Sequence, residues 1–287
     1  INWKIMNEKY DIAVVGATGS VGREIIQILE QREFPVNNIY FLASSKSEGS
    51  KIQFDSKEIV VEDLSKFDFS KVQLGLFSPG SIVSAEYAPK AAAKGCLVID
   101  NTSYFRMQKN IPLIIPEVNP EVLEDFFIND NRINIISNPN CSTIQMLVAL
   151  KPLYDKAIIN RIVVSTYQSV SGAGKNGMDE LFNQTQNIYA NKSIEKKEFT
   201  KQIAFNAIPH IDSFVENGNT KEEEKMINET KKILDSGIEV SATCVRVPIF
   251  VGHAESINIE FDSPLSDKEA TETLKNSNAI KVIDYRK

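Results

Sequence analysis

Several kinds of residue are scarce in this chain of 287 residues, and each scarcity narrows what the protein can be. It has only three cysteines, Cys96, Cys141 and Cys244. Their odd number and wide spacing do not match a disulfide framework or a zinc site, so we expect no metal and a reducing, cytoplasmic compartment. It has two histidines, so the candidates for a catalytic base beside a cysteine are His210 and His253.

Long apolar runs and an excess of basic residues are also lacking. No apolar run reaches the length of a membrane span and none near the N-terminus resembles a signal peptide, so we expect no membrane partner. The formal net charge is −6, whereas nucleic-acid binding favours a basic face, so we expect no nucleic-acid partner either. Small anionic substrates stay open, because local Arg and Lys can hold them. The length allows two domains of ordinary size.

The first half of the chain alternates short apolar runs with stretches of helical periodicity. These patterns predict strands over 11–17, 38–45, 72–78, 95–100 and 133–137, and helices over 21–32 and 84–95. Strand, helix and strand in this rhythm imply a parallel sheet with helices on both faces. We therefore predict a doubly wound α/β domain over residues 7–140.

The second half differs from about residue 158 onward. Residues 158–172 and 238–261 are long and β-rich, and they flank a polar, helix-prone middle. A helix is predicted over 220–234, where Thr220 and Glu223 have the spacing of a capping box. This half predicts a mixed α+β domain, residues 141–287, built on long antiparallel strands.

A glycine-rich loop, GATGSVG (16–22), follows the first predicted strand and opens the first predicted helix. Gly16, Gly19 and Gly22 would allow a tight turn, close approach of a phosphate to the backbone and close helix packing. The free N–H groups at the helix start would then bind a pyrophosphate. A glycine triplet alone is a weak signal, but at the first βα junction of such a domain it predicts a dinucleotide site.

The segment after the second predicted strand, ASSKSEG (43–49), bears on which dinucleotide binds. NAD sites usually carry an acidic residue here for the ribose hydroxyl, whereas this segment offers Ser44, Ser45, Lys46 and Ser47. Hydroxyl groups and a cation suit a 2′-phosphate, so we predict NADP. The alternative is a solvated polar loop with no binding role.

Cys141 is the candidate nucleophile. It precedes residues 142–154, where Ile144, Leu147, Val148 and Leu150 have helical spacing, so it lies at a predicted helix N-terminus. Unpaired N–H groups and the helix dipole there favour a thiolate and would stabilise an oxyanion. The other two cysteines lie within predicted strands, where a buried and inert thiol is the default.

The base that would serve Cys141 is less well defined. His253 lies seven residues after Arg246 in RVPIFVGHAE, and an odd separation points two side chains to opposite faces of a straight strand. Pro248 and Gly252 offer a bulge or bend that would turn both towards one site. His210, which follows a proline, fits a structural or rim position. We favour His253 and keep His210 as the alternative.

A series of motifs along the chain resembles the aspartate-semialdehyde dehydrogenase family. The motifs are, in this order, VVGATGSVG, ASSKS, DNTSYFRM, PLIIPEVN, SNPNCSTIQ, YQSVSGAG, NETKKIL and RVPIFVGHAE. Together they are far more specific than any one of them. The resemblance implies a glyceraldehyde-3-phosphate-dehydrogenase-like fold: a Rossmann-like NADP-binding domain, then an α+β catalytic and dimerisation domain. It also implies a homodimer.

The resemblance further implies roles for single residues. Cys141 would accept the acyl group and His253 would be the general acid/base. Gln168 would orient the substrate, and Arg246 would hold the substrate carboxylate, because a planar fork suits a bidentate partner. Glu222 would be the acidic residue of the substrate site. Arg106 and Lys225 would bind phosphate, with Asn140 beside them.

For the cofactor, the resemblance implies contacts with Gly16, Thr18, Gly19, Ser20, Val21, Ser45, Lys46, Ser47, Ser78, Ser171 and Gly172. The residues by themselves do not indicate every one of these roles. Glu222 and Lys225 have the spacing of an ordinary surface ion pair on a helix, and only the resemblance gives them a place in a substrate site.

The implied reaction is the NADPH-dependent reductive dephosphorylation of L-aspartyl 4-phosphate to L-aspartate 4-semialdehyde, through a cysteine thioester. It would serve the biosynthesis of lysine through diaminopimelate, of threonine and of methionine. Two alternatives are an N-acetyl-gamma-glutamyl-phosphate reductase and a catalytically dead NADP-binding regulatory protein. Arg246 with Glu222 favours a free amino acid over an acylated one.

The family's chains continue beyond NAIKVIDYRK, the last residues of this sequence. In the family the last helix returns to pack on the cofactor domain. A further expectation is therefore that this domain is incomplete here, with weak NADP binding and low turnover.

Overall fold

The computed structural model describes residues 9–128 and 132–284, and the chain separates into two compact units. The N-terminal unit comprises Ile1–Ile114 and Glu121–Asn138, and the C-terminal unit comprises Ile115–Pro120 and Pro139–Lys287, in each case within the described residues. The functional boundary between residues 140 and 141 stays a prediction. None of the helices in the described residues combines the length and the apolar character that crossing a membrane requires.

Seven strands form the sheet of the N-terminal unit: β1 (Tyr10–Val15), β2 (Val36–Ala43), β3 (Lys51–Phe54), β4 (Lys57–Asp63), β5 (Leu74–Phe77), β6 (Leu97–Asp100) and β7 (Ile135–Ser137). Their order is β3-β4-β2-β1-β5-β6-β7, and all neighbours pair in parallel except the antiparallel hairpin of β3 and β4. The strand order reverses at β1, and the carboxyl ends of strands at such a reversal are where open α/β sheets bind ligands.

Helices cover both faces of this sheet: α1 (Ser20–Gln31), α2 (Ser81–Ala93) and α3 (Glu121–Ile128). Side chains of β1 alternate between the two faces, so Val15 joins the apolar cluster that contains Ala88 of α2, while Val14 joins the cluster that contains Ile26 of α1. Burying each Val or Ile side chain contributes about 1.5–3 kcal/mol. The predicted doubly wound α/β domain is confirmed.

The described part of the C-terminal unit contains three strands and four α-helices: α4 (Cys141–Tyr154), β8 (Ile159–Gln168), α5 (Gly174–Tyr189), α6 (Lys221–Ile233), β9 (Glu239–Arg246), β10 (His253–Phe261) and α7 (Asp267–Lys275). The sheet order is β10-β8-β9. The predicted α+β class is confirmed, and α6 begins at the predicted capping box of Thr220 and Glu223.

One prediction for the C-terminal unit is wrong, because its strands are not all antiparallel. β10 pairs with β8 in antiparallel orientation, but β9 pairs with β8 in parallel. The chain between β8 and β9 passes through α5 and α6, and a crossover of that length is what a parallel pair needs. The predicted single β-rich segment over 238–261 is two strands that lie on opposite sides of β8.

Candidate active site

Three of the predicted site residues lie in one row across the sheet of the C-terminal unit, with the last residue of β8 in the middle. Gln168 is the register partner of Arg246 on β9 and of His253 on β10. Directly paired residues of neighbouring strands project from the same face of a sheet. The odd spacing between Arg246 and His253 is therefore no obstacle, because the two residues lie on different strands and Gly252, with φ +92°, lies in the loop between them.

Cys141 is the first residue of α4, and its side chain lies beside this row. Its Sγ is 3.3 Å from Nε2 of His253, and the residue is exposed to solvent. The side chain of Asn140 caps the helix by accepting the N–H groups of Ser142 at 2.9 Å and Thr143 at 3.4 Å. The thiol thus lies at a helix N-terminus, where an anion is stabilised.

The other ring nitrogen of His253 is held by the residue that follows Gln168. The Ser169 N–H donates to Nδ1 of His253 at 3.0 Å, and Ser169 Oγ lies 3.3 Å from the same atom. An Nδ1 that accepts a hydrogen bond leaves the proton of the neutral ring on Nε2, the atom that faces Cys141. Burial lowers the pKa of His253 and the Arg246 guanidinium adds to this, although the Gly252 carbonyl and Glu222 oppose it.

The second histidine has a different setting. Nε2 of His210 lies 3.0 Å from Oγ1 of Thr200, and its ring contacts that of Phe214. These contacts belong to the loop that precedes α6 rather than to the row of Arg246, Gln168 and His253. The geometry therefore favours His253 as the partner of Cys141.

Arg246 is buried, with 7% of its surface exposed, and its Nη1 donates to the Ser169 carbonyl at 2.6 Å. Burial lowers the pKa of Arg246 and Glu222 opposes the shift, but a guanidinium stays protonated in proteins. Its side chain has no second hydrogen-bond partner among the described residues, which leaves N–H donors for a ligand. A side chain at Gly172 would begin 3.1 Å from Nη1, so the glycine keeps this space open.

An ion pair between the buried Glu222 and the partly exposed Lys225 is hydrogen-bonded to the row through Gln168. Glu222 is 6% exposed, and its carboxylate accepts hydrogen bonds from Gln168 Nε2 at 3.0 Å, Asn140 Nδ2 at 2.8 Å and Lys225 Nζ at 2.9 Å. Burial by itself would raise the pKa of Glu222, but Lys225 and the two amides outweigh burial and lower the pKa below its usual value. Lys225 also lies 3.4 Å from Asp212. The interpretation of Glu222 and Lys225 as a surface pair is therefore not supported.

The N-terminal unit has a separate pocket of about 490 Å³ at the carboxyl ends of β1, β2, β4 and β5. The pocket is lined in part by glycines and small polar residues and in part by an acidic residue and larger apolar or aromatic ones: Gly16, Thr18, Gly19, Ser44, Ser45 and Ser78, and Asp63, Leu64, Val83 and Tyr87. Gly16 has φ +83°, and a Cβ there would lie 2.7 Å from the Ser78 carbonyl oxygen. A Cβ on Gly22 would collide with the Gly16 carbonyl oxygen. The loop therefore packs too tightly for side chains at these two positions.

The start of α1 adjoins this pocket. Gly19 is the N-cap of α1 and supplies no side-chain cap, so the helix start keeps amide donors for an anion. Among the other predicted cofactor residues, Ser20 and Val21 form the first turn of α1, and Lys46 and Ser47 lie in a short 3-10 turn after β2. The remaining two, Ser171 and Gly172, belong to the C-terminal unit.

Arg106, a predicted phosphate ligand, belongs to the N-terminal unit and is buried there. Its Nη2 donates to the Asn101 carbonyl at 3.0 Å. In the described residues, no group of three or more His, Cys, Asp or Glu side chains is arranged to hold a metal ion.

Two family models match the chain. The model described as "Semialdehyde dehydrogenase, NAD binding domain" matches residues 11–126, and the model described as "Semialdehyde dehydrogenase, dimerisation domain" matches residues 150–287. The first range contains the glycine loop and its pocket, and the second contains the row of Arg246, Gln168 and His253.

Comparison with single proteins identifies the family more narrowly than the two family models do. The chain is 52% identical over 278 residues to the aspartate-semialdehyde dehydrogenase of Aquifex aeolicus, a match that covers 96% of this chain and 81% of the relative. The chain belongs to the aspartate-semialdehyde dehydrogenase family. The crystal structure of aspartate semialdehyde dehydrogenase II complexed with ASA from Vibrio cholerae is 49% identical, with a TM-score of 0.93 and coverage of 96% of this chain and 81% of that one. The enzyme with NADP from Candida albicans has a TM-score of 0.72 at 26% identity, with coverage of 94% and 77%.

Two polar residues that contact this candidate site were not predicted from the sequence. Ser169 contacts both His253 and Arg246, and Glu229 on α6 accepts the Asn140 N–H at 2.6 Å. Glu229 had a readable signal, because it follows Glu222 by seven residues and so lies on the same, buried face of α6. Ser169 had none, since its contacts are largely made by its backbone.

Proposed function

We propose that this protein reduces L-aspartyl 4-phosphate to L-aspartate 4-semialdehyde with NADPH, through a thioester on Cys141. The observation that carries the proposal is the 3.3 Å contact between Cys141 Sγ and His253 Nε2, at a helix N-terminus and beside a buried guanidinium. Such an arrangement activates a thiol for attack on a carbonyl. The product would feed the synthesis of lysine, threonine and methionine.

The first step forms the thioester. The Cys141 thiolate attacks the acyl carbon, the bond between that carbon and the phosphate oxygen breaks, and phosphate leaves with the electron pair. The Nε2–H of His253 points at the sulfur, so it can stabilise the thiolate before attack and again when the sulfur leaves. The N–H groups of Ser142 and Thr143 are bound by Asn140, so the oxyanion that forms during attack would be stabilised here by the dipole at the N-terminus of α4.

In the proposed complex, one charged residue of the protein binds each of two charged groups of the substrate. The free N–H donors of Arg246 would bind the α-carboxylate, and the Glu222 carboxylate would bind the ammonium. Gln168, which lies between Arg246 and His253 in the row and donates to Glu222, would hold the substrate chain towards Cys141. We assign phosphate binding to Arg106 and Lys225. The side-chain oxygen and nitrogen of Asn140 both already form hydrogen bonds within the protein, so we give this residue a supporting role.

The pocket of the N-terminal unit fits a dinucleotide phosphate. Its tight glycine loop, its serine hydroxyls and the uncapped start of α1 all offer donors to an anion, and Lys46 follows the pocket's Ser45 in the chain. NADPH bound there would supply the hydride that reduces the thioester. Lys46 and Ser45 would hold the 2′-phosphate, while Ser171 and Gly172 of the C-terminal unit remain predicted contacts.

We further propose a cytoplasmic homodimer. The C-terminal unit matches a model described as a dimerisation domain. One face of its sheet is exposed at alternate positions of β10, namely Ala254, Ser256, Asn258 and Glu260. All three cysteines are free thiols, as a reducing compartment would keep them. Light scattering tests the dimer, and a monomer at assay concentration would contradict it.

The activity is tested in the oxidative direction, with aspartate semialdehyde, NADP⁺ and phosphate. We expect NADPH to form only when all three are present, and not with Cys141→Ala. Cys244→Ala is the matched control, because that thiol is buried and lies outside the row. A faster rate with N-acetyl-glutamate semialdehyde would instead favour the acylated substrate of the alternative reductase.

A further inference from the structure

Asn140, the residue before the nucleophile, is held between α4 and α6 by hydrogen bonds on every side. Its Oδ1 caps α4, and its Nδ2 donates to Glu222 at 2.8 Å. Its backbone N–H donates to Oε2 of Glu229 at 2.6 Å, and its carbonyl accepts the Ile144 N–H at 2.9 Å. Asn140 is 6% exposed. The peptide that leads into Cys141 therefore has one defined orientation.

Glu229 is the part of this arrangement that the mechanism above leaves unexplained. It is 1% exposed and lies two turns after Glu222 on the same face of α6. Burying a carboxylate costs several kcal/mol unless cations and donors compensate. Lys232 lies near enough for its ammonium to interact with Glu229: burial lowers the pKa of Lys232, and Glu229 opposes that shift. A carboxylate that is buried this deeply and accepts a hydrogen bond from the residue before the nucleophile calls for a functional reason.

We propose that Glu229 is a positioning residue for Cys141, which acts by accepting the Asn140 N–H and so fixing the first turn of α4. The inference rests on the role proposed above for Cys141. Glu229 would act through its hydrogen bond with Asn140 and not by binding the substrate. Without it the Asn140 N–H would be buried and unpaired, and the cap and the sulfur that follows would shift. Catalytic groups need to be held within about 0.5 Å of their productive geometry.

The chain offers a matched control in Glu180 of α5. Glu180 is also buried, and its Oε2 accepts two backbone N–H groups, of Lys197 at 3.1 Å and of Glu198 at 2.5 Å. These groups belong to a loop that contributes nothing to the row of Arg246, Gln168 and His253. Loss of Glu180 thus reproduces the structural cost of removing a buried acceptor without changing the support of Cys141.

The experiment compares Glu229→Ala, Glu229→Gln and Glu229→Asp with Glu180→Ala in the full chain. Two rates are measured: alkylation of Cys141 by iodoacetamide, without substrate or cofactor, and turnover of aspartate semialdehyde with NADP⁺ and phosphate. We expect Glu229→Ala to lower both the alkylation rate and kcat by roughly 10- to 100-fold, with KM changed by less than about threefold, since a displacement of about 1 Å can cost that much. Glu180→Ala is expected to keep both rates even if its melting temperature falls as far as that of Glu229→Ala.

The two conservative variants separate hydrogen bonding from charge, and they serve as the test if Glu229→Ala does not fold. Glu229→Gln keeps an acceptor oxygen at the same reach, so it should retain both rates within about threefold. Glu229→Asp keeps the charge but shortens the side chain, so it should lose activity. Equal losses in Glu229→Ala and Glu180→Ala, or a Gln variant slower than the Asp variant, would overturn the proposal. If the wild-type protein lacked dehydrogenase activity but alkylation followed this order, the proposed function would fail and the positioning role would stand.

Discussion

We predict that Glu255 makes the stability of this protein depend on pH and that one substitution removes this dependence. The residue follows His253 by two positions on β10, and its carboxyl group lies near Ser142 and Gln145 of α4. Both carboxylate oxygens are buried, and within the described residues neither has a hydrogen-bond partner. Burial raises the pKa of Glu255 from an ordinary value of 4.5 to about 7, although the nearby Gln145 and Ser142 oppose the shift.

The direction of the effect follows from proton linkage. Between pH 4.5 and about pH 7 the folded protein keeps a proton on Glu255 that the unfolded chain has released. The contribution of Glu255 to the free energy of unfolding therefore falls as pH rises through this window, and it is constant above the window. A shift of this size corresponds to at most about 3 kcal/mol. Because the side chain is partly exposed and solvent screens it, we expect about 1–2 kcal/mol.

Glu255→Gln replaces the carboxyl group with a neutral group of similar shape. At pH 5 the folded wild-type protein already carries a protonated Glu255, so the variant should have nearly the same free energy of unfolding. At pH 8 the variant should be more stable by about 1–2 kcal/mol. Urea unfolding followed by circular dichroism measures both. Glu260→Gln, on the same strand but exposed, is the control and should show no such difference. If Glu255→Gln changed the free energy of unfolding equally at pH 5 and pH 8, the raised pKa of Glu255 would be contradicted.

Three further predictions concern the site. Iodoacetamide near neutral pH should modify one thiol per chain, Cys141, because burial raises the pKa of Cys96 and of Cys244 to about 12; a second rapid adduct in the mass spectrum would contradict this. Lys46→Ala should weaken NADP binding by roughly 1–3 kcal/mol and leave NAD binding almost unchanged, as calorimetry can measure; equal losses would show that Lys46 does not contact the 2′-phosphate. Glu222→Gln should raise KM for aspartate semialdehyde at least about tenfold, because the substrate ammonium loses a charged partner; an unchanged KM would exclude this role.

The sequence was sufficient for the N-terminal sheet where apolar runs are continuous, and insufficient where they are not. The buried run of β1 and the glycine loop after it could be read directly, because a parallel strand covered on both faces is apolar throughout. The hairpin of β3 and β4 was missed. Its strands alternate with charged residues, and Asp55 and Ser56 form its turn with positive φ without the glycine that usually marks such a turn.

The C-terminal unit shows a different limit. The pattern of β8, β9 and β10 indicates which residues face the core, but it does not state the direction of pairing. The six residues between Arg246 and His253 look like a hairpin connection, yet the two strands lie on opposite sides of β8. The common register partner Gln168 could be identified only from the structure. The same holds for the partners of Ser169 and Glu229, because Arg246, His253 and Asn140 lie far from them in the sequence.

If a thioester on Cys141 links hydride transfer to phosphate, the thioester should accumulate in a single turnover without phosphate. Aspartate semialdehyde and NADP⁺ are mixed with the protein without phosphate, and NADPH and the intact mass of the protein are followed together. We expect a burst of about one NADPH per active site and an aspartyl adduct on Cys141; added phosphate should then release the aspartyl group and start steady turnover. Steady NADPH formation without phosphate in the absence of an adduct, or an adduct on another residue, would contradict it.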